Sequence, residues 1–225
     1  MTRHLKLDPT TSILDVCCGV GRHSIPLAKK GCRVQGVDIS KKYLKIAKKK
    51  AFVNKLPAQF SLGDARLLKF DNQFDIALNL FSSLGYFINA SDDHKIIRGI
   101  YRALKPDGKL VIEIYNSTRI LHMLDFCHKH HWLSTQWSEA SNKEFIVLAD
   151  PQVLKRQKAF MNHFIFLYKN GVRKEMKTFN RIFTLDDLSH LLEANKFKIL
   201  KVYGGLDGSK YHPLTSENMV LIAGK

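Results

Sequence analysis

No apolar run in these 225 residues approaches the ~20 needed to cross a bilayer, which excludes a membrane-spanning helix. Met1 to Asp8 lacks the apolar stretch of a signal peptide. Cysteine is sparse: Cys17, Cys18, Cys32 and Cys127 show no disulfide-framework spacing, so a reducing cytoplasm is expected. Internal repeats and low-complexity tracts are also missing, and the length suits one domain with a modest insertion, burying roughly 70% of the unfolded surface. Acid is scarce too, with 20 Asp and Glu against 36 Lys and Arg, a net charge of +16. Such an excess suits a nucleic acid, RNA included, or an anionic membrane surface as partner. However, the densest run, Lys41 to Lys50, keeps Leu44 and Ala47 on one stripe with lysines elsewhere, the pattern of a solvated outer helix face.

What is present alternates. Ile13–Cys17, Arg33–Asp38, Gln59–Leu62, Phe74–Leu80 and Leu110–Ile114 read as strands. Helical patterns fall between them at His23–Lys30, after a capping Ser40, and at Asp92–Leu104, where Lys105-Pro106-Asp107-Gly108 stops the helix. This order predicts an α/β fold, a doubly wound and mostly parallel sheet covered on both faces. From Thr118 to Ile182 the alternation gives way to a short His-rich helix and strand-like stretches such as Phe145–Leu148 and Phe160–Tyr168. Residues 118–182 are therefore expected to form an inserted β-rich subdomain within a main domain of 1–117 and 183–225. Thr184 and Asp187 have capping-box spacing before Leu188, Leu191 and Leu192, and Phe197–Tyr203 with Met219–Ala223 read as a closing hairpin.

The segment Asp15-Val16-Cys17-Cys18-Gly19-Val20-Gly21-Arg22-His23-Ser24 joins a strand to a helix, where glycines admit a ligand to the backbone. A dinucleotide loop would carry glycine in place of Ser24, and a pyrophosphate would sit badly beside Asp15. A ligand with a cationic end and no phosphate suits that acid. Asp38 ends the second strand 17 residues beyond Gly21, where a carboxylate can accept from both hydroxyls of a ribose. Asp64 follows the third strand on the same sheet edge and can accept from an adenine amino group. Any one such acid is better explained by a cap or a turn; three in register suggest one adenosyl ligand.

In combination these segments resemble the motifs of the class I S-adenosylmethionine-dependent methyltransferases. Ile13-Leu14-Asp15 through Gly21 is similar to motif I, with Cys17 where many members have glycine. Val37-Asp38-Ile39-Ser40 resembles the ribose acid, Gly63-Asp64-Ala65 the adenine acid, Phe74 to Phe81 the fourth strand, and Leu104 to Leu110 the turn into strand five. The resemblance implies a seven-stranded sheet with its last strand antiparallel. It also implies a site for S-adenosyl-L-methionine, released as S-adenosyl-L-homocysteine, made by Asp15, Cys17, Gly19, Gly21, His23, Asp38, Ile39, Asp64, Ala65, Asn79, Leu80 and Phe81. Because the chain begins about a dozen residues before the first strand, the family's N-terminal cofactor cover is expected to be short or absent. The Phe81 to Tyr86 run and the insertion look like small-molecule methyltransferases, including those that dimethylate amino sugars.

Methyl transfer from a sulfonium needs no nucleophilic triad, because positioning and desolvation carry most of it. Groups beyond strands four and five could hold the acceptor or its proton: Asn79, Tyr86, Glu113, Tyr115 and Asn116, with Tyr86, Glu113 and Asn116 the catalytic candidates. For each of them, core packing or a satisfied turn hydrogen bond is the readier explanation. His23 is expected as a neighbour of the cofactor loop. The His122, Cys127, His128, His130, His131 run lacks a completing carboxylate, so no metal is expected. Trp132, Trp137, Phe145, Phe160, Phe164 and Phe166 either line an acceptor pocket or form the insertion's own core. The expected function is N- or O-methylation of a small molecule by a monomer or homodimer without membrane contact. RNA methylation and non-catalytic cofactor binding are the alternatives; a nucleotide-dependent oxidoreductase is disfavoured by Asp15.

Overall fold

A computed structural model describes residues 5, 7–131, 135–140 and 144–225; Trp132 and most of the segment before Leu7 lie outside these. Seven strands form the main sheet: β1 (Ser12–Val16), β2 (Arg33–Asp38), β3 (Ala58–Leu62), β4 (Phe74–Asn79), β5 (Leu104–Tyr115), β10 (Lys198–Tyr203) and β11 (Asn218–Gly224). Their order is β10-β11-β5-β4-β1-β2-β3, parallel except for β11, which runs antiparallel to both of its neighbours. All five residues of β1 are buried, as a central strand covered on both faces requires.

Helices α1 (Ser24–Lys29), α2 (Lys41–Val53), α3 (Ala90–Ala103) and α5 (Leu185–Glu193) cover the sheet. Their ends follow local chemistry. Ser40 Oγ accepts from the Tyr43 amide at the start of α2, and Leu44, Ala47 and Ala51 face inward while the lysines stay outside. Thr184 and Asp187 complete the expected capping box on α5, a device contributing about 1 kcal/mol. Helix α3 starts two residues earlier than its apolar pattern suggests, because the Asn89 side chain caps it through the Ser91 amide. Strand β5 begins just before the expected turn, at the residue expected to end the helix: Leu104 pairs with Phe74, the register slips through 105–108, and pairing resumes at Lys109 with Ile76.

Between β5 and α5 lie α4 (Ser117–Lys129) and a four-stranded antiparallel sheet, β6 (Gln136–Glu139), β7 (Phe145–Leu154), β8 (Ala159–Tyr168) and β9 (Arg173–Arg181), in sequential order. The helix expected to be short has 13 residues, capped by Asn116. The small sheet is shallow: in its strands β7 to β9 only Ala159 and Phe160 are buried, and Trp137 is 72% exposed. It therefore has little core of its own. A buried ion pair ties it to the main domain, with Arg181 Nε donating to Asp93 Oδ2 at 2.8 Å.

Candidate cofactor and acceptor site

The carboxyl ends of β1 and β2 hold the glycine loop by direct bonds. Cys18 N–H donates to Val37 O at 3.1 Å, and Gly19 N–H donates to Asp38 Oδ2 at 2.8 Å. The other oxygen of Asp38 accepts from Ser40 N–H at 2.8 Å. Two backbone donors thus aim the carboxylate, and each oxygen retains a lone pair for a hydroxyl. Cys17, Gly19 and Gly21 all have positive φ (63°, 54° and 76°), so Cys17 adopts a conformation that glycine takes at less cost. A side chain at Gly19 would meet nothing within 4 Å, so the loop opens onto free space there. Ile39 projects beside it, 72% exposed.

Asp15 is 2% exposed, and Ser24 Oγ donates to its Oδ2 in a short bond. The residue that breaks the dinucleotide pattern is thus the partner of the acid. Burial pushes the Asp15 carboxyl up to about 6, partly opposed by Ser24, with a further small push from Asp38. Asn79 lies fully buried at the end of β4; its Nδ2 donates to Val16 O at 3.4 Å, whereas its Oδ1 is the one buried side-chain polar atom among the described residues without a partner. A buried acid and an orphaned acceptor suit a cationic ligand that donates hydrogen bonds. Burial likewise raises the Cys17 thiol to about 12 and keeps it protonated, which removes it as a nucleophile. Burial, then Arg22, lowers the His23 imidazole below its usual range.

Asp64 departs from the simple picture. It accepts from the Arg66 amide at 2.9 Å and binds the Arg66 guanidinium through both oxygens, the closest contact being 2.6 Å. Arg66 also reaches Asp92 at 3.2 Å and stacks on Phe87. Ala65 opens a short 3₁₀ turn after this acid. The bonds to Arg66 hold the Asp64 carboxyl below the usual range. An adenine amino group would therefore share this acid with Arg66, a residue that the reading of the sequence passed over although it stands two positions from Asp64.

Beyond the buried Leu80, Phe81 and Ser82 both take left-handed backbone conformations, φ 59° and 54°, which cost non-glycine residues roughly 1–3 kcal/mol each. Neighbouring groups hold this turn. Phe81 N–H donates to Glu113 Oε2 at 3.1 Å, Ser82 N–H donates to Glu113 O, and Ser82 Oγ accepts from Tyr115 N–H at 2.8 Å. Phe81 is 59% exposed under the Arg22 guanidinium. Glu113 also accepts from Asn218, and burial raises its carboxyl. Asn116 spends its amide donors on Pro213 O and Ser216 O while capping α4. Glu113 and Asn116 are thus bound to the turns around them, and Tyr86 is exposed beside the Phe81–Ser82 turn.

That turn forms one wall of a cavity of about 460 Å³. Tyr115 and α4 supply further walls, and the inner face of the small sheet covers it through Pro151, Phe160, Asn162 and Phe164. Alternation along β8 explains the choice, since residues 160, 162 and 164 share one face. Phe145 and Phe166 pack on each other farther along, so the expected aromatics divide between cavity wall and local packing. Tyr86, Glu113 and Asn116 are not among the lining residues; Arg119, Asn180 and Phe183, which the sequence did not single out, are. Among the described residues no helix is long and apolar enough to cross a membrane.

Comparison with known proteins agrees with this geometry. A family model described as a methyltransferase domain matches residues 13–108. The Bacillus subtilis protein named "Putative methyltransferase YqeM" is 29% identical over 195 residues, covering 84% of this chain and 74% of its own. The chain spans about half the length of several other curated relatives it matches. Among solved structures, an S-adenosylmethionine-dependent methyltransferase from Clostridium acetobutylicum superposes with a TM-score of 0.81 at 18% identity, over 99% of this chain and 87% of that one. The amino pentose methyltransferase CalS10 from Micromonospora echinaspora, solved with S-adenosylmethionine bound, gives 0.69 at 16% identity over 99% and 86%. At these identities the structural likenesses bear on the fold, and the matched motif region carries the rest. Over residues 13–108 the chain is similar to a methyltransferase domain, and its whole fold is that of the S-adenosylmethionine-dependent methyltransferases.

Proposed function

We propose that this enzyme methylates nitrogen or oxygen of a small molecule held beneath the small sheet, with residues 118–182 serving as the acceptor cover. The observation that carries the reading is the cavity beyond the Phe81–Ser82 turn, bounded by the carboxyl ends of β4 and β5 and closed by the inner face of β7 and β8. Its size falls in the range usual for small-molecule sites. The lysines on the outer face of α2 are not among its walls, so the basic surface stands apart from it. The amino pentose acceptor of the structural neighbour supports a small substrate of this kind.

The cofactor supplies an electrophilic methyl group: the acceptor's lone pair forms the new bond while the C–S bond breaks and its electron pair stays on sulfur. Asp38 would accept both ribose hydroxyls, and Ile39 would pack on the adenine face. Ala65 and Asp64, the latter shared with Arg66, would border the adenine edge. Asp15 and the free Oδ1 of Asn79 would receive the ammonium end, beside a glycine loop whose geometry Cys17, Gly19 and Gly21 set. His23, Leu80 and Phe81 would complete the walls. Glu113 and Asn116 act as positioning residues: one fixes the Phe81–Ser82 turn, the other anchors the start of α4. Tyr115 stands on the cavity wall, and burial, with Tyr86 and Glu113 adding to it, keeps its hydroxyl protonated. A proton released by the acceptor passes to water.

Incubation with methyl-labelled cofactor and two substrate pools, a small-molecule extract and total RNA, tests the proposal. Label is expected in the small-molecule fraction, and label confined to RNA contradicts it.

A further inference from the structure

We infer that the acceptor is a small organic anion, an apolar body bearing a carboxylate, and that the Arg119 guanidinium receives that carboxylate. The inference rests on reading the cavity as the acceptor site. Three charged side chains line it: Arg119, Arg181 and Glu217. Arg181 is already satisfied, through Asp93 and through the carbonyls of Phe87 at 2.8 Å and Ile88 at 3.0 Å. Glu217 is exposed, and its carboxylate has no ion pair among the described residues. Arg119 is half-buried, and its guanidinium has neither an ion pair nor a hydrogen bond among the described residues. A half-buried guanidinium with five free donors is costly to leave unmatched, and its planar fork fits a carboxylate bidentately.

Its setting strengthens the argument. Arg119 lies in the first turn of α4, where unpaired amides and the helix dipole already make the potential positive. That first turn contains no acidic residue to offset the added charge. An anion in the cavity would meet both. Much of the remaining wall is apolar, with Phe160 and Phe183 buried and Ile120, Met123 and Phe164 continuing the surface, while Asn162, Asn180 and Asn218 add uncharged polar groups. The chemistry recognised is therefore a charged head on an apolar, aryl-sized body. With both carboxylate oxygens engaged by Arg119, the methylated atom is a separate nitrogen or oxygen of the same molecule. That atom gives its lone pair to the methyl carbon, loses its proton to water, and leaves neutral S-adenosylhomocysteine.

The full chain, saturated with S-adenosylhomocysteine, is titrated with benzoate, phenylacetate, 3-phenylpropionate and indole-3-acetate, each against its primary amide. At least one carboxylate is expected to bind about tenfold or more tighter than its amide. The preference should fall to near unity in Arg119→Gln and survive in part in Arg119→Lys, with affinity for S-adenosylhomocysteine unchanged in both. The absence of any carboxylate preference in the wild type, or its persistence in Arg119→Gln, overturns the inference. Small-molecule labelling without a carboxylate preference removes only the role of Arg119. Labelling confined to RNA removes the acceptor reading even where the anion preference is observed.

Discussion

The two sheets of this molecule are built differently. In the main sheet β1 is fully buried and β11 buries five of its seven residues, so each central strand packs on both faces. In the small sheet nearly every residue is half-exposed or exposed, and its attachment centres on Arg181, bonded to Asp93, Gly85, Phe87 and Ile88, and on the Ile182–Phe183 step that follows. One sheet supplies a rigid edge on which acids and glycines can be fixed. The other offers a shallow cover that can separate from that edge at lower cost, because opening it exposes little apolar surface. On the proposed reading, cofactor chemistry belongs on the first and adaptation to an acceptor on the second.

The largest expected effect breaks the link between them. Arg181→Ala leaves Asp93 buried without its partner, and a loss of roughly 3–5 kcal/mol in unfolding free energy is expected by denaturant titration at neutral pH. Burial raises the Asp93 carboxyl, and losing Arg181 removes the main force opposing this. The charged form then bears the penalty, so the loss should shrink as pH falls and Asp93 protonates.

Next comes Asp38→Ala, which would remove the two proposed charge-assisted ribose contacts together with the anchor of the Gly19 amide. Calorimetry should show S-adenosylhomocysteine bound about 100-fold or more weakly, with the anion site of the cavity intact.

The pH dependence of cofactor binding sharpens the comparison further. The Asp15 carboxyl is raised from 3.8 to about 6 in the folded protein, so folding favours its protonated form. Its contribution to stability is thus fully present below about pH 4 and lost as pH rises through about 6. An ammonium ligand reverses the preference. Affinity should therefore rise about tenfold between pH 5 and pH 7, whereas in Asp15→Asn it should be weaker and nearly flat over this range. The free Asp15→Asn protein should be more thermostable than wild type at pH 7.5, with the gain vanishing near pH 4. A flat wild-type profile would dissociate Asp15 from the cationic end of the ligand.

The smallest effect is on dynamics. Amides of β7 and β8 should exchange with deuterium faster than those of β1 and β4, and an acceptor together with S-adenosylhomocysteine should slow them. Equal protection in both sheets would mean that the cover is as firmly built as the cofactor edge.

The same division explains what could be read from the sequence. Asp15, Gly19, Gly21 and Asp38 lie within 24 consecutive residues, and their bonds run between adjacent parallel strands, so spacing alone places them together. The capping box at Thr184 and the lysine face of α2 are equally local. The cavity is not local. Its walls bring Phe81 to Phe160 and Arg119 to Asn180, and strand alternation in the insertion gives no sign of which face will meet the main domain. Glu113 and Asn116 had the right positions for chemistry, but their hydrogen bonds to Phe81 and to the 213–216 loop depend on tertiary placement. Arg66 lay within reach, since an arginine two residues after an acid is a local signal; its second bond, to Asp92 on α3, was not.

The most direct test is a crystal structure of the complex with S-adenosyl-L-homocysteine. The account predicts ribose hydroxyls on Asp38, the amino group near Asp15 and Asn79 Oδ1, and the sulfur at the mouth of the cavity, facing the wall formed by Phe81, Ser82 and Tyr115. A sulfur turned away from that cavity, or an adenosyl group bound anywhere but the Gly19–Asp38 edge, would contradict it.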